Sequence, residues 1–287
     1  MTCLKFTQAV ELKLGEKRMA NQIAKKKDNN VITFDSDLLL ADAGAGMEGM
    51  TQDDFMIPRL AVLQQMSPQV NKRDGAYVDG AEPGHIFDNV SGQASDGEEG
   101  ITVVPISYRR AHIEWKPDRG GLVRDHGSDS GILEGCSRGA KGEYLSFDGN
   151  EIVPTAEYFV YVVDNDGGFS PAMLTMSKSQ LKKARRWNSM INRLQVPHPS
   201  DETKKFTPAM FWNAYKMTTV PEENDQGSWF GWNIEMLFDA SSGGIIQNLK
   251  SGRDIYLAAR NFKDQVSSGE VKVSPETQAD EEDLETM

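Results

Sequence analysis

The chain has 287 residues, of which 38% are hydrophobic and 26% charged, with a net charge of −12. That length supports a sizeable core, in one large domain or two small ones. Its two cysteines, Cys3 and Cys136, exclude a disulfide framework and point to a reducing, cytoplasmic setting, and no apolar run approaches the ~20 residues of a membrane-spanning helix.

Residues 1–50 read as a disordered arm, polar, then acidic, then rich in Gly and Ala. Gly15-Glu16-Lys17-Arg18 accommodates purine-rich codons just before Met19, so translation is expected to begin at Met19 and 1–18 to be a mis-assigned extension. Gly44-Ala45-Gly46-Met47-Glu48-Gly49 has the spacing GxGxxG but lacks the strand before and helix after that dinucleotide binding requires. A folded domain is expected over 51–266. Phe55 to Pro68 is apolar and enters its core, and Asp74-Gly75, Asp79-Gly80 and Pro83-Gly84 mark turns.

Strands are expected at 101–106, where Pro105 favours an edge or bulge, and at 108–115. Lys116 to Lys141 reads as a long Gly-rich loop with Arg119, Arg124, Arg138 and Lys141. Glu157–Val163 and Phe169–Thr175 are strands joined by the turn Asp164-Asn165-Asp166-Gly167-Gly168. An EF-hand reading of that turn fails because Thr175 stands where an acid is needed. Ser177 and Gln180 have capping-box spacing, and Leu181, Ala184, Trp187, Ile191 and Leu194 then repeat as the buried side of a helix over 177–195. Further strands are expected at 207–219 and 227–238, and a second amphipathic helix at 248–265. Residues 267–287 read as a disordered acidic tail.

Charge is segregated along the chain. Between Met176 and Thr219 the bases Lys178, Lys182, Lys183, Arg185, Arg186, Arg193, Lys204, Lys205 and Lys216 face only Asp201 and Glu202. Phe211, Trp212, Tyr215, Trp229 and Trp232 follow closely. Cations interleaved with aromatics suit a phosphate backbone with stacked bases. A solvated helix face beside core aromatics is the plain alternative.

Signatures of catalysis are weak. Gly135 to Lys141 falls one residue short of a P-loop, and His85, His112, His126 and His198 lack metal-ligand spacing from Cys136. His126 and Cys136 read as a surface histidine and a buried thiol rather than a nucleophile pair. Glu114, Asp164 and Asp166 are too ordinary to argue for Mg²⁺. The chain therefore reads as a binding protein, not an enzyme, with no cofactor and no metal.

Three strands, a helix and two more strands are the element order of an OB-fold. The expected class is α+β, mainly β: a five-stranded Greek-key barrel with a helix between its third and fourth strands and a C-terminal helix. A different α+β sheet is the alternative. This order, the basic aromatic centre and the acidic tail together resemble the single-stranded DNA-binding proteins of tailed bacteriophages. The segment Ile57-Pro58-Arg59-Leu60 to Met66-Ser67-Pro68 also resembles phage proteins. The resemblance implies phosphate contacts by Arg109, Arg110, Lys178, Lys182, Arg185, Arg186, Arg193 and Lys216, and base stacking by Trp212, Tyr215, Trp229 and Trp232. It further implies that Glu276, Asp280, Glu281, Glu282, Asp283 and Glu285 contact replication or recombination proteins in the host cytoplasm. The tail departs from the family by ending Leu284-Glu285-Thr286-Met287 where such tails commonly end in an aromatic residue. A virion structural or scaffolding protein is the second reading and a Mg²⁺-dependent DNA-processing enzyme the third. Self-association is left open.

Overall fold

The computed structural model describes residues 41–50, 54–117, 120–225 and 227–269. The chain divides into two compact units, Met1–Met50 and Thr51–Met287. In the first, residues 42–50 form successive turns closed by backbone bonds such as Ala45 N–H to Asp42 O (3.0 Å). The expected extension at 1–18 and the acidic tail lie outside the described residues.

The second unit is built on two long strands. In chain order its strands are β1 (Arg59–Val62), β2 (Ile86–Asp88), β3 (Gln93–Ser95), β4 (Ile101–Trp115), β5 (Leu122–Asp125), β6 (Ser137–Arg138) and β7 (Tyr144–Leu145). Then come β8 (Glu151–Val163), β9 (Phe169–Ser177), β10 (Val196–His198), β11 (Asp201–Phe206), β12 (Tyr215–Asn224) and β13 (Gly227–Met236). The helices are α1 (Leu181–Arg193), α2 (Gly244–Asn248) and α3 (Gly252–Ser268). Among the described residues, eleven strands share one sheet in the order β13-β12-β4-β8-β9-β1-β2-β3, with β5 extending β4 and the β6–β7 hairpin extending β8. The protein is mainly β with helices on both faces of a curled sheet.

The sequence of β8 explains the two faces. It is a nearly continuous run of β-branched and aromatic residues, as expected of a strand buried on both sides. Ala156, Tyr158 and Val160 point to one core, shared with Leu60, Leu174, Met217, Trp232 and the α1 residues Ala184 and Trp187. Phe159 and Tyr161 point to the other, with Val104, Phe211, Ile245, Ile255 and Ala259 under α2 and α3. Alternation sorts the side chains, and a helix covers each side.

Two expected strands, 101–106 and 108–115, are one strand with a bulge between Pro105 and Ser107. The bulge accommodates the proline and shifts the alternation by one, so Tyr108 and Arg110 share the α1 side while Arg109 faces away. The Gly-rich segment therefore joins the first and second long strands. The strand expected at 207–219 starts only at Tyr215, because Met210–Trp212 forms a 3-10 turn. Gly244 makes that turn's packing feasible: a Cβ there would lie 2.3 Å from Trp212 O.

Edge strand β13 curls toward β1 without a strand pairing. Two glutamine side chains take the place of strand partners. Gln64 Oε1 accepts from Phe230 N–H (2.8 Å) while its Nε2 donates to Phe230 O (3.0 Å). Gln180 Oε1 accepts from Trp232 N–H (3.1 Å). Gln64→Leu keeps the volume but leaves both Phe230 groups unpaired, an expected loss of roughly 1–3 kcal/mol. Thermal unfolding should show a Tm lower by several degrees, and an unchanged Tm would mean that this closure contributes nothing.

Candidate nucleic-acid interface

Helix α1 covers the face of the sheet that carries Ala156, Tyr158 and Val160. Its start is not the capping box that Ser177 and Gln180 suggested. Ser177 ends β9 without a side-chain cap bond, and Gln180 is turned toward β13. Between them Lys178 has φ of 44°, alone among the described non-glycine residues in the left-handed region. Trp187 anchors the helix, its ring 4.4 Å from Tyr158 and edge-on to Tyr215 at 5.5 Å. The Tyr158 hydroxyl lies 2.9 Å from Asn188 Oδ1 and 3.1 Å from the Ala184 carbonyl, ready to donate to either.

Opposite this buried side, Lys182, Arg185, Arg186 and Arg193 are all exposed. At 3.6 residues per turn they fall within roughly a 100° arc. None has an ion-pair partner among the described residues, whereas neighbouring Lys183 binds Glu222 at 2.5 Å. Glu222 also accepts from the Trp229 indole N–H (2.9 Å), which holds that half-buried ring at the helix's flank. Arg186 and Lys183 line a cleft of about 180 Å³ between α1 and the β12–β13 hairpin.

The structure brings together only part of the expected set. Lys178, Lys182, Arg185, Arg186, Arg193 and Trp229 lie on or beside α1. Tyr215 and Trp232 are buried (0% and 2% exposed) in the core beneath it and offer no ring to a base. Trp212 packs against Gly244 at the start of α2, away from α1. Lys216 is half-buried, its Nζ donating to Gly100 O (3.3 Å).

Arg109 is also removed from the interface. It faces the side opposite α1, where its Nε donates to Glu157 (2.6 Å) and its Nη2 reaches Asp125 (2.7 Å). Burial raises the Glu157 carboxyl above its ordinary value, and the charges of Arg109 and Arg59 offset only part of that rise. Glu114, raised as a metal ligand by its charge alone, is instead held by His126 Nε2 (2.7 Å) and Asn150 Nδ2 (2.8 Å). Burial acts to raise its carboxyl, but these hydrogen bonds outweigh it and hold the group below the usual range. Cys136 Sγ donates to Ile132 O (3.3 Å), and burial pushes its thiol up. Among the described residues no three His, Cys, Asp or Glu side chains group to hold a metal ion.

Two aromatic residues escaped the sequence reading. Tyr108 is 37% exposed and packs on Tyr158 at 5.1 Å, one ring away from α1, with Arg110 two residues along on the same face. Tyr144, in β7, lies under the Arg138 guanidinium (3.5 Å to its centroid) and shares a cavity with Lys178 and Leu181. The signal for Tyr108 was its spacing from Arg110, hidden by the bulge. Tyr144 sat in a loop with no periodicity to read.

No helix among the described residues is long and apolar enough to cross a membrane. No curated protein and no solved structure matches the chain. A family model described as Pam3 phage gp34-like protein matches residues 26–272. With most of its length matched, the chain belongs to the Pam3 phage gp34-like protein family.

Proposed function

We propose that this phage protein binds single-stranded DNA in replication or recombination, through the exposed face of α1 and the aromatic residues beside it. The observation that carries the reading is the arc of Lys182, Arg185, Arg186 and Arg193. Four cations stand together without carboxylate partners among the described residues, in a chain whose net charge is −12. Such an arc neutralises phosphates and releases counterions. Tyr108 and Trp229 flank it with ring surface for stacking, which is sequence-tolerant because every base has a π-face.

The strand order supports an OB-fold reading. β4, β8 and β9 form an antiparallel meander, α1 follows, and β12 returns beside β4 with β13 next to it. This is the Greek-key order of a five-stranded OB barrel. Here β1 runs beside the third strand, Gln64 bridges from the end of β1 to Phe230 of β13, and Gln180 ties the start of α1 to Trp232. The acidic residues from Glu276 to Glu285 would compete for the cationic arc when DNA is absent and contact replication proteins when it is bound.

Fluorescence anisotropy of labelled oligothymidylate tests the proposal. The full chain should bind tightly at ~50 mM salt and lose affinity steeply by ~200 mM. Self-assembly with no binding at low salt would reject it in favour of a virion structural protein.

A further inference from the structure

The cavity between the β6–β7 hairpin and the start of α1 has the character of a base pocket. Its volume is about 350 Å³, within the roughly 300–1,000 Å³ of small-ligand sites. Tyr144, Ile152, Pro154 and Leu181 form its apolar bed. Its rim is charge-balanced, with Lys141 and Lys178 set against Glu143 and Glu151. Lys178 Nζ lies 3.8 Å from Glu151 Oε1, and Glu143 accepts from the Lys141 backbone N–H (2.9 Å). A balanced rim does not select a phosphate. It suits a neutral ring whose edge carries both donors and acceptors, as a nucleobase does.

A second, independent observation marks the same place. Lys178, with its φ of 44°, holds a backbone conformation that side-chain-bearing residues rarely adopt. Glycine would occupy that position with less strain, and the lysine instead brings an ammonium to the pocket rim. Arg138 covers one side of the Tyr144 ring and donates from Nη1 to Gly142 O (2.7 Å), which fixes the hairpin that carries the ring.

We infer that this pocket takes one unstacked base of a single strand whose backbone runs along α1, and so favours unpaired over duplex DNA. The inference rests on the single-strand reading above and deepens it. A base in a duplex presents no free face to Tyr144, whereas an unpaired one can turn into the pocket.

The test is anisotropy with a labelled oligothymidylate of about 20 nucleotides, longer than one binding site. Tyr144→Ala should weaken binding on the order of tenfold with the salt dependence unchanged, and Tyr144→Phe should restore it. Lys178→Gly should weaken binding while Tm stays level or rises. Wild-type affinity in Tyr144→Ala, with binding still lost on charge reversal of α1, overturns the pocket and leaves the single-strand reading standing. Failure of the wild-type chain to bind overturns both.

Discussion

Replacing Lys182, Arg185 and Arg186 together by glutamate is expected to lower single-strand affinity by at least about a hundredfold at ~0.1 M salt. Each phosphate contact on a single strand contributes a salt slope of about 0.7, so three contacts account for roughly two decades between 1 M and 0.1 M salt. Reversal adds repulsion to that loss. All three side chains are exposed, and none is ion-paired among the described residues. Stability should therefore stay within about 0.5 kcal/mol of wild type, which thermal unfolding checks. The same triple change at Arg253, Arg260 and Lys263 on α3, the helix on the opposite face of the sheet, should leave binding within a few-fold. If the two sets behave alike, general charge and not the α1 arc governs association.

Arg109→Met should be among the most damaging single changes to the fold. Glu157 is 1% exposed, and without Arg109 its charge loses its closest partner. Breaking such a pair costs about 3–5 kcal/mol, and the low end applies here because the Arg109 side chain is 37% exposed. Denaturant unfolding should show this, and Arg109→Met with Glu157→Met should recover most of it. The pH dependence has a definite sign. The folded-state pKa of Glu157 is already raised, so the native state takes up this proton before the unfolded state does. The stability it contributes is full below the unfolded value and falls as pH rises through the folded one. Removing Arg109 raises that folded pKa further. The deficit of the variant should be greatest near neutral pH and shrink on acidification. A deficit independent of pH would mean that lost packing, not the orphaned carboxylate, is the cause.

Strong local patterns made much of the fold legible. The helix at 177–195 was readable because Leu181, Ala184, Trp187 and Ile191 repeat at helical spacing, and the observed α1 needs only trimming at each end. The run at 157–163 was readable from its nearly unbroken β-branched and aromatic composition. Pro105 announced its bulge, but its consequence was hidden: one inserted residue exchanged the faces of Arg109 and Arg110 and brought Tyr108 to the α1 side. Gln180 was misread because capping spacing is local, whereas its partner Trp232 lies 52 residues away. Gln64 and Phe230 are 166 residues apart and share no pattern. Burial of Tyr215 and Trp232 was equally out of reach, since an aromatic residue in a strand stacks on ligand or fills a core according to which face a distant helix covers. The cationic arc was legible because its residues lie on one helix. The Tyr144 pocket was not, because a hairpin, a long strand and a helix start must meet to form it.

The most direct measurement is photocrosslinking of the full chain to single-stranded oligonucleotide carrying 5-iodouracil, followed by peptide mapping. Crosslinks are expected in peptides containing Tyr108, Tyr144 or Trp229, the rings that border the α1 arc, and should be lost when Lys182, Arg185 and Arg186 are reversed. Crosslinks confined to the region around Trp212 and α3, or none at low salt, would contradict single-strand binding along α1.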